Sequence, residues 1–424
     1  MRATTVPEAQ SPRVACGRSL FALRVSALAQ ARQSGAAPTM PAMARPFDVC
    51  IRGAGIVGRA LALQLASQRL RVALVDHRLG GAAPATDGHS DVRAYALNPA
   101  SRKLLQGLRC WPDALHATPV VAMEVFGDAG GSTRFDAVDS SAEALNWIVD
   151  VPELEKLLGA ALGFQSLIEV VSTPQAAPLT VVCEGKASRT REEFGVEFIA
   201  QPYAQWALAA RVDCAVPHGQ VARQWFSQPE GQGEIVALLP LGGANGHQCA
   251  LVWSAPPERA QALQALDAPE FCLQLQAASH HALGDLQLTS ERQTWPLQHS
   301  QAAQWCGQGA QGAWVLAGDS AHAVHPLAGQ GLNLGLGDVA ELAAVLEARP
   351  YWRSVGDLRL LRTYERARKA ELALIGGAGD ALQQLFSRDS AWARSLRNAG
   401  MRAFERSGPL KAWVAQRAMG LRGH

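Results

Sequence analysis

The stretch FDVCIRGAGIVG, residues 47–58, decides the fold of this chain. Its first five residues are apolar except for Asp48 and predict a buried strand, and residues 60–66 predict the helix that follows. Between them, the first glycine permits a tight turn, the second lets the backbone approach a pyrophosphate, and the third allows the helix to pack closely on the strand. This pattern predicts a dinucleotide site at the N-terminus of the helix, formed by Gly53, Gly55, Ile56, Val57 and Gly58.

A second strand and an acidic residue complete this unit. Residues 71–75, RVALV, predict a strand that leads directly into Asp76. The carboxylate lies about twenty residues beyond the glycines, where an acidic side chain accepts a hydrogen bond from the ribose 2′-hydroxyl of a nucleotide. Asp76 therefore favours an unphosphorylated ribose over a ribose with a 2′-phosphate.

Another glycine-rich stretch, GDSAHAVHPLAGQGLNLGLGD, occupies residues 318–338. It follows the apolar residues 313–317, which predict a buried strand, and it runs into the apolar-periodic residues 332–346, which predict a helix. The order is again strand, glycine loop and helix. A helix that starts near Gly331 carries partial positive charge at its N-terminus, and that charge stabilises an anion.

Together the two stretches resemble the FAD-dependent aromatic-ring hydroxylases. The G-D motif of that family matches Gly318 and Asp319, and its H-P-x-x-G-Q-G-x-N loop matches residues 325–333. The resemblance implies that Asp319 binds the ribityl chain of FAD, that the proline lines the flavin ring, and that the glycines approach its pyrimidine edge. The cofactor-binding candidates are therefore Gly318, Asp319, Gly329, Gln330, Gly331 and Asn333, and the catalytic candidates are His325 and Pro326.

Within this superfamily the chain is similar to the hydroxylases of ubiquinone biosynthesis. Residues 91–101 match the family's D-x-R-x-x-A-L-x-x-x-S stretch, in which the arginine lies beside the flavin. Arg93 is therefore a candidate for both cofactor binding and catalysis. Residues 364–368, YERAR, resemble the start of the family's C-terminal helices, and the likeness extends over residues 47–420.

One position departs from the family pattern. Where the family has A-D-G before a serine and an arginine, residues 183–189 read CEGKASR, so that Glu184 replaces the aspartate. A glutamate keeps the carboxylate but is one methylene longer. We expect this change to affect nicotinamide handling or flavin movement and to leave FAD binding intact.

The predicted elements and the resemblance together indicate an α/β fold, a Rossmann-type FAD-binding domain with an interleaved antiparallel-sheet substrate domain and C-terminal helices. Four strand candidates, residues 120–126, 204–212, 235–239 and 249–253, supply the substrate sheet. The expected FAD-binding parts are residues 47–112, 151–192 and 298–350, the substrate-sheet parts are 113–150 and 193–297, and the C-terminal helical region is 351–424.

Composition disfavours several other classes of protein. No apolar run in the 424 residues reaches the length of a membrane span. The eight cysteines form no C-x-x-C pair, which disfavours a disulfide reductase and indicates reduced thiols in a cytosol-like compartment. His280 and His281 fall in a stretch that we expect to be helical, without matching acids, so we predict no metal site. Nothing in the sequence suggests nucleic-acid recognition.

Residues 1–46 stand apart, because they contain six arginines and one acidic residue, Glu8, and show no persuasive strand or capped helix. We expect this extension to be disordered and to take no part in the chemistry. Two explanations remain open. The segment resembles an organelle-targeting peptide, which would make the protein mitochondrial, or it follows from a start codon misassigned upstream of Met40 or Met43 in a bacterial gene. We favour the second explanation, in which the protein is cytoplasmic.

The C-terminal region is basic although the chain carries a net charge of only +2. From residue 349 to residue 424 there are fifteen Lys or Arg and six Asp or Glu, a local charge of +9. The first interpretation is a solvated helix face packed on the FAD domain. The second is peripheral contact with the anionic inner face of a membrane, or with partner proteins of quinone synthesis, since a prenylated substrate resides in the bilayer.

The resemblance implies an FAD- and NAD(P)H-dependent monooxygenase. In this family NAD(P)H reduces FAD, O2 adds to give a flavin C4a-hydroperoxide, and one oxygen atom is transferred to an electron-rich aromatic ring. The implied substrate is a prenylphenol intermediate of ubiquinone biosynthesis. Two alternatives stay open: a flavin-dependent reductase of prenyl double bonds, and a non-catalytic flavoprotein subunit of a quinone-synthesis assembly. A halogenase is disfavoured because its W-x-W-x-I-P signature is missing.

Overall fold

The computed structural model describes residues 46–80, 92–127, 130–140, 142–227, 233–323 and 331–387. Four predicted site residues, His325, Pro326, Gly329 and Gln330, and the predicted extension up to Arg45 lie outside these ranges. The strands are β1 (Val49–Arg52), β2 (Val72–Val75), β3 (Ala94–Leu97), β4 (Ala117–Val120), β5 (Ala122–Phe126), β6 (Ser132–Asp136), β7 (Asn146–Asp150), β8 (Ile168–Val171), β9 (Leu179–Val182), β10 (Phe198–Cys214), β11 (Val221–Ser227), β12 (Glu234–Leu241), β13 (Gln248–Ala255), β14 (Leu286–Leu288), β15 (Gln293–Ala302), β16 (Cys306–Gly309), β17 (Gly312–Leu316) and β18 (His322–Ala323). The helices are α1 (Ile56–Ser67), α2 (Pro99–Gly107), α3 (Val151–Leu162), α4 (Arg189–Glu193), α5 (Pro257–Ala265), α6 (Ala268–Ala278), α7 (Gly331–Glu347) and α8 (Leu358–Ser387).

The first sheet has six strands in the order β16-β17-β9-β1-β2-β8. Five of them run parallel, and β16 pairs antiparallel with β17 at one edge. Strands β1 and β2 are almost completely buried, because a parallel sheet is covered on both faces, and this explains their continuous apolar sequence. The two glycine-rich stretches follow β1 and β17, which are separated only by β9. The strand order therefore brings both stretches to the carboxyl edge of one sheet, where ligands of such folds bind.

The second sheet has nine strands, eight of them in the order β18-β15-β10-β13-β12-β11-β5-β6, while β14 pairs with β10. Helices α5 and α6 contribute Leu263 and Phe271 to an apolar core on this sheet, which also contains the fully buried Trp253. A third sheet has the order β3-β7-β4. The small sheet packs against the large one through a compact apolar cluster of Ala96, Val120, Ile148, Ala222, Leu241 and Ala250.

The strand predicted over residues 120–126 is wrong, because the chain changes sheet within it. Residues up to Val120 belong to β4 in the small sheet, and residues from Ala122 belong to β5 in the large sheet. The N–H of Val121, between them, donates to the carbonyl of Gln220 instead of joining either ladder. An apolar run without a turn residue gives no sequence signal for this change. The helical expectation for His280 and His281 is also wrong, since α6 ends at Ala278 and both histidines have positive φ.

The start of helix α8 is hydrogen-bonded to the first sheet at β17 and just before β16. The hydroxyl of Tyr364 donates to the carbonyl of Leu316 at 3.0 Å, two residues before the second glycine-rich stretch. The carboxylate of Glu365 accepts from the backbone N–H of Trp305 at 3.0 Å. These two contacts fix the position of α8 on the sheet. Among the residues that the structure describes, no helix is long and apolar enough to cross a membrane.

Candidate active site

The first glycine turn is tightly packed on one side and open on the other. Gly53 has a φ of +110°, and a Cβ there would overlap the carbonyl oxygen of Cys183, directly after the neighbouring strand β9. A Cβ on Gly58 would overlap the carbonyl oxygen of Gly53. In contrast, a Cβ on Gly55 would meet no described atom within 4 Å. The open side, at the N-terminus of α1, fits a pyrophosphate.

Asp76 lies directly after β2, at the side of the sheet where the sequence places the nucleotide ribose. Its carboxylate accepts two hydrogen bonds of 2.9 Å from the guanidinium of Arg78, and these bonds are the main reason that the pKa of Asp76 is lowered. The carboxylate is therefore ionised at neutral pH. Next to it is a cavity of about 460 Å³, lined by Ala54, Arg59, Leu74 and Asp76 and by residues of α3 and β8. This cavity fits the adenosine half of FAD.

The second glycine turn lies against the first. Gly318 has a φ of +63°, and a Cβ there would lie 3.4 Å from the side chain of Val57. A Cβ on Gly335 in α7 would lie only 2.7 Å from the same side chain. Val57 therefore packs between the GD turn and helix α7, which requires glycine at both neighbouring positions. The structure thus brings the two predicted glycine motifs into contact.

Asp319 is a half-buried carboxylate without a partner among the residues that the structure describes. It forms no hydrogen bond or ion pair with them, although its neighbours in the turn are buried. Burial raises the pKa of Asp319, and the charges of Lys186, His322 and Arg93 only partly oppose this effect. A desolvated carboxylate that lacks partners gains most from a ligand with hydroxyl donors. This arrangement fits the predicted contact with the ribityl chain.

Arg93 and Asn333 approach the same region from two directions. Arg93 is exposed, yet its charge contributes to lowering the pKa of Asp319. The side chain of Asn333 accepts from Asn98 N at 2.9 Å and from Ser101 Oγ at 2.7 Å, and it donates to Ala96 O at 2.7 Å. Asn333 thereby ties the start of α7 to the β3–α2 corner. Its direct contact with the cofactor stays a prediction.

Glu184 organises the loop in which it replaces the aspartate of the family. Its carboxylate accepts from Ser188 Oγ at 2.8 Å, from Thr190 Oγ1 at 2.7 Å and from Thr190 N at 3.1 Å. Burial alone would raise the pKa of Glu184, but the hydrogen bonds from Thr190 and Ser188 lower it. The carboxylate of Glu184 therefore has hydrogen-bond partners for both oxygens and holds the loop in place at the start of α4.

Replacement of Glu184 by glutamine is expected to reduce stability in a pH-dependent way. Because the folded-state pKa of Glu184 lies below its ordinary value of 4.5, its contribution is complete at higher pH and is lost as pH falls through the folded pKa. We expect Glu184→Gln to lower the free energy of unfolding by about 1 kcal/mol at neutral pH and by less near pH 4. Urea unfolding at both pH values measures this. The control is Glu143→Gln, whose carboxylate is 70% exposed and pairs with Arg102, outside this loop. An equal loss at both pH values would contradict the assignment.

One buried carboxylate in this region had no recognisable signal in the sequence. Asp338 on α7 is fully buried and accepts from Gly318 N at 2.7 Å, from His322 Nε2 at 2.7 Å and from Arg368 Nε at 2.7 Å. Burial would raise the pKa of Asp338, but the charges and hydrogen bonds of His322 and Arg368 lower it. Arg368 belongs to α8, so its pairing with Asp338 depends on tertiary structure.

Comparison with known proteins places these features in a family. Residues 172–374 match the family model described as FAD binding domain. The chain is 31% identical over 406 residues to 3-demethoxyubiquinol 3-hydroxylase of Escherichia coli (strain K12), an alignment that covers 89% of this chain and 99% of the relative. It is 29% identical to the ubiquinone hydroxylase UbiL of Rhodospirillum rubrum, over 91% of this chain and 92% of the relative. The crystal structure of p-nitrophenol 4-monooxygenase PnpA from Pseudomonas putida has a TM-score of 0.68 and 15% identity, over 89% of this chain and 99% of that chain, which is a likeness of fold.

Proposed function

Because the chain belongs to the FAD-dependent monooxygenases of the ubiquinone-biosynthesis hydroxylase family, we propose that it hydroxylates the aromatic ring of a prenylphenol intermediate of ubiquinone biosynthesis. FAD is the cofactor, NAD(P)H is the reductant and O2 is the co-substrate. The observation that carries the proposal is the end-to-end match to the Escherichia coli hydroxylase, which covers 99% of that relative. Nearly the whole of that hydroxylase therefore has a counterpart in this chain.

The residues of this chain have three tasks in such a reaction. When bound and reduced, FAD would supply the chemistry by which one atom of O2 enters the ring and the other leaves as water. Asp319 would hold the ribityl hydroxyls, and the N-terminus of α7, which begins at Gly331, would stabilise negative charge at the pyrimidine edge. Arg93 lies near enough to Asp319 to affect its pKa, and would add positive charge on that side. The apolar cluster between the small and large sheets, which includes Ile148 and Leu241, would exclude water on the side of Ala96, whose carbonyl bonds to Asn333.

We place the enzyme in the cytoplasm, in peripheral contact with the inner face of the membrane or with partner proteins of quinone synthesis. The local charge of +9 between residues 349 and 424 supports such contact, because basic residues are attracted to anionic lipid headgroups. A prenylated substrate is delivered most directly at a membrane surface. A mitochondrial location follows if residues 1–46 act as a targeting peptide.

The proposed activity is tested with purified, FAD-loaded protein and a prenylphenol. We expect the phenol to stimulate NAD(P)H oxidation with matching O2 uptake, and mass spectrometry to detect a product that contains one additional oxygen atom. Deletion of the gene should cause the unhydroxylated precursor to accumulate. Mass spectrometry of that precursor should identify the ring position that the enzyme hydroxylates. Reduction of prenyl double bonds without O2 uptake would instead identify a reductase. Absence of turnover, with quinone levels unchanged by deletion, would exclude the hydroxylase.

A further inference from the structure

Asp338 is bonded to both sides of the residue that is predicted to hold the ribityl chain. Its Oδ2 accepts from the backbone N–H of Gly318, directly before Asp319, and from Nε2 of His322, three residues after it. The imidazole of His322 is held on its other side by stacking on Trp305, with ring centroids 4.9 Å apart. The turn that carries Asp319 is thus fixed at two points by one carboxylate.

A second side chain fixes Asp338 in turn. Arg368, which is 2% exposed, donates from Nε to Oδ1 of Asp338 at 2.7 Å and from an Nη to the carbonyl of Leu334 at 3.0 Å. It also pairs with Glu371 at 2.6 Å. Arg368 therefore orients both the carboxylate and the helix α7 to which that carboxylate belongs.

Stability alone is a poor explanation for this buried pair. Removing two charges from water carries a large desolvation penalty, and apolar residues of similar volume often hold such positions equally well. An apolar side chain at position 338 would, however, leave the buried N–H of Gly318 and the ring of His322 without their acceptor. Besides pairing with Arg368, the carboxylate of Asp338 therefore supplies the acceptor that the turn 318–322 needs.

We propose that Asp338 is a positioning residue for FAD: it fixes the turn 318–322 so that Asp319 is preorganised for the ribityl chain, and Arg368 fixes Asp338 for this purpose. Asp338 acts through Gly318 and His322 without contacting the cofactor. Preorganisation strengthens binding because the turn then loses less conformational freedom when the ligand arrives. The proposal rests on FAD binding and is independent of which aromatic substrate is hydroxylated.

The test compares two buried carboxylates in variants of the full chain. Asp338→Asn keeps the side-chain volume but removes the charge and one acceptor oxygen. We expect FAD to bind about tenfold more weakly, measured by titrating the FAD-free protein and following flavin fluorescence. We also expect a changed visible circular dichroism spectrum of the bound flavin. The control is Glu234→Gln in the other core, where Glu234 is 5% exposed and accepts from Trp253 Nε1 at 2.9 Å and from Arg259 Nε at 3.2 Å.

The control variant should lose stability and keep the FAD affinity and flavin spectrum of the natural protein. If Asp338→Asn behaves like this control, with unchanged FAD affinity and spectrum, Asp338 is only structural and the proposal is wrong. If Asp338→Asn does not fold, Arg368→Lys provides the test, because a lysine keeps the charge but cannot bond both Asp338 and Leu334. We expect Arg368→Lys to weaken FAD binding about threefold, and an unchanged affinity would overturn the proposal.

Discussion

Replacement of Gly58 by alanine is expected to prevent the FAD-binding part of the chain from folding normally. The new Cβ would overlap the carbonyl oxygen of Gly53, and this backbone atom cannot move aside without distorting the tight turn before α1. We expect the free energy of unfolding to fall by at least about 3 kcal/mol. Urea unfolding followed by circular dichroism measures the loss of stability. Flavin absorbance of the purified protein measures the accompanying loss of bound FAD.

Two other glycines make this prediction specific. Gly107, at the end of α2, has no described atom within 4 Å of its Cβ position, so Gly107→Ala should leave stability and FAD content unchanged. Gly55 is equally open, but its open side is where the pyrophosphate would lie. Gly55→Ala should therefore fold normally and bind FAD weakly. Normal stability of Gly58→Ala would show that the turn has more room than the structure indicates.

Replacement of Asp319 by alanine is expected to weaken FAD binding about 10- to 100-fold, which corresponds to the loss of hydrogen bonds to a charged group. The same site should show an opposite effect in the FAD-free protein. Because burial raises the pKa of Asp319, its ionised form destabilises the empty fold at neutral pH. Asp319→Asn should therefore raise the Tm of the FAD-free protein, by roughly 1 to 3 °C.

The weaker FAD binding of Asp319→Ala and the higher Tm of Asp319→Asn together distinguish a residue that binds the cofactor from one that only stabilises the fold. Equilibrium dialysis of FAD and thermal unfolding of the FAD-free protein measure them independently. Asp357 offers a matched aspartate far from the glycine turns, where Arg353 and the N–H of Arg359 bond to its carboxylate. Asp357→Asn should not change FAD affinity. If Asp319→Ala retained FAD as well as the natural protein, the predicted ribityl contact would be wrong.

The elements that carry the cofactor could be predicted from sequence because their signals are local. The strand and helix around Gly53 and the helix after Gly331 were predicted to within a few residues of their observed bounds. Each combines an apolar run with glycines at the spacing that a nucleotide-binding turn requires. The contact of both motifs at Val57 follows from their positions after β1 and β17, which one strand separates.

Contacts between distant segments had no such signal. Asp338 ends the second glycine-rich stretch, but its role depends on Arg368, which lies thirty residues further along the chain on another helix. The effect of Glu184 on nicotinamide handling or flavin movement stays a prediction, and the structure adds that its carboxylate bonds within its own loop. Residue type alone does not show that this carboxylate lies within hydrogen-bonding distance of Ser188 and Thr190.

The strand order also determines when a newly made chain can acquire its cofactor. Strand β1 ends at Arg52, yet β17, which carries the other half of the site, begins only at Gly312. At about 5–20 residues per second, a ribosome needs tens of seconds to synthesise the segment between them. During that interval β1 has its partners β2 and β9 available, but the turn 318–322 has not yet been synthesised. The site is therefore complete only after synthesis of α8, because Tyr364 bonds to Leu316 of β17 and Arg368 bonds to Asp338, the residue that holds the turn 318–322.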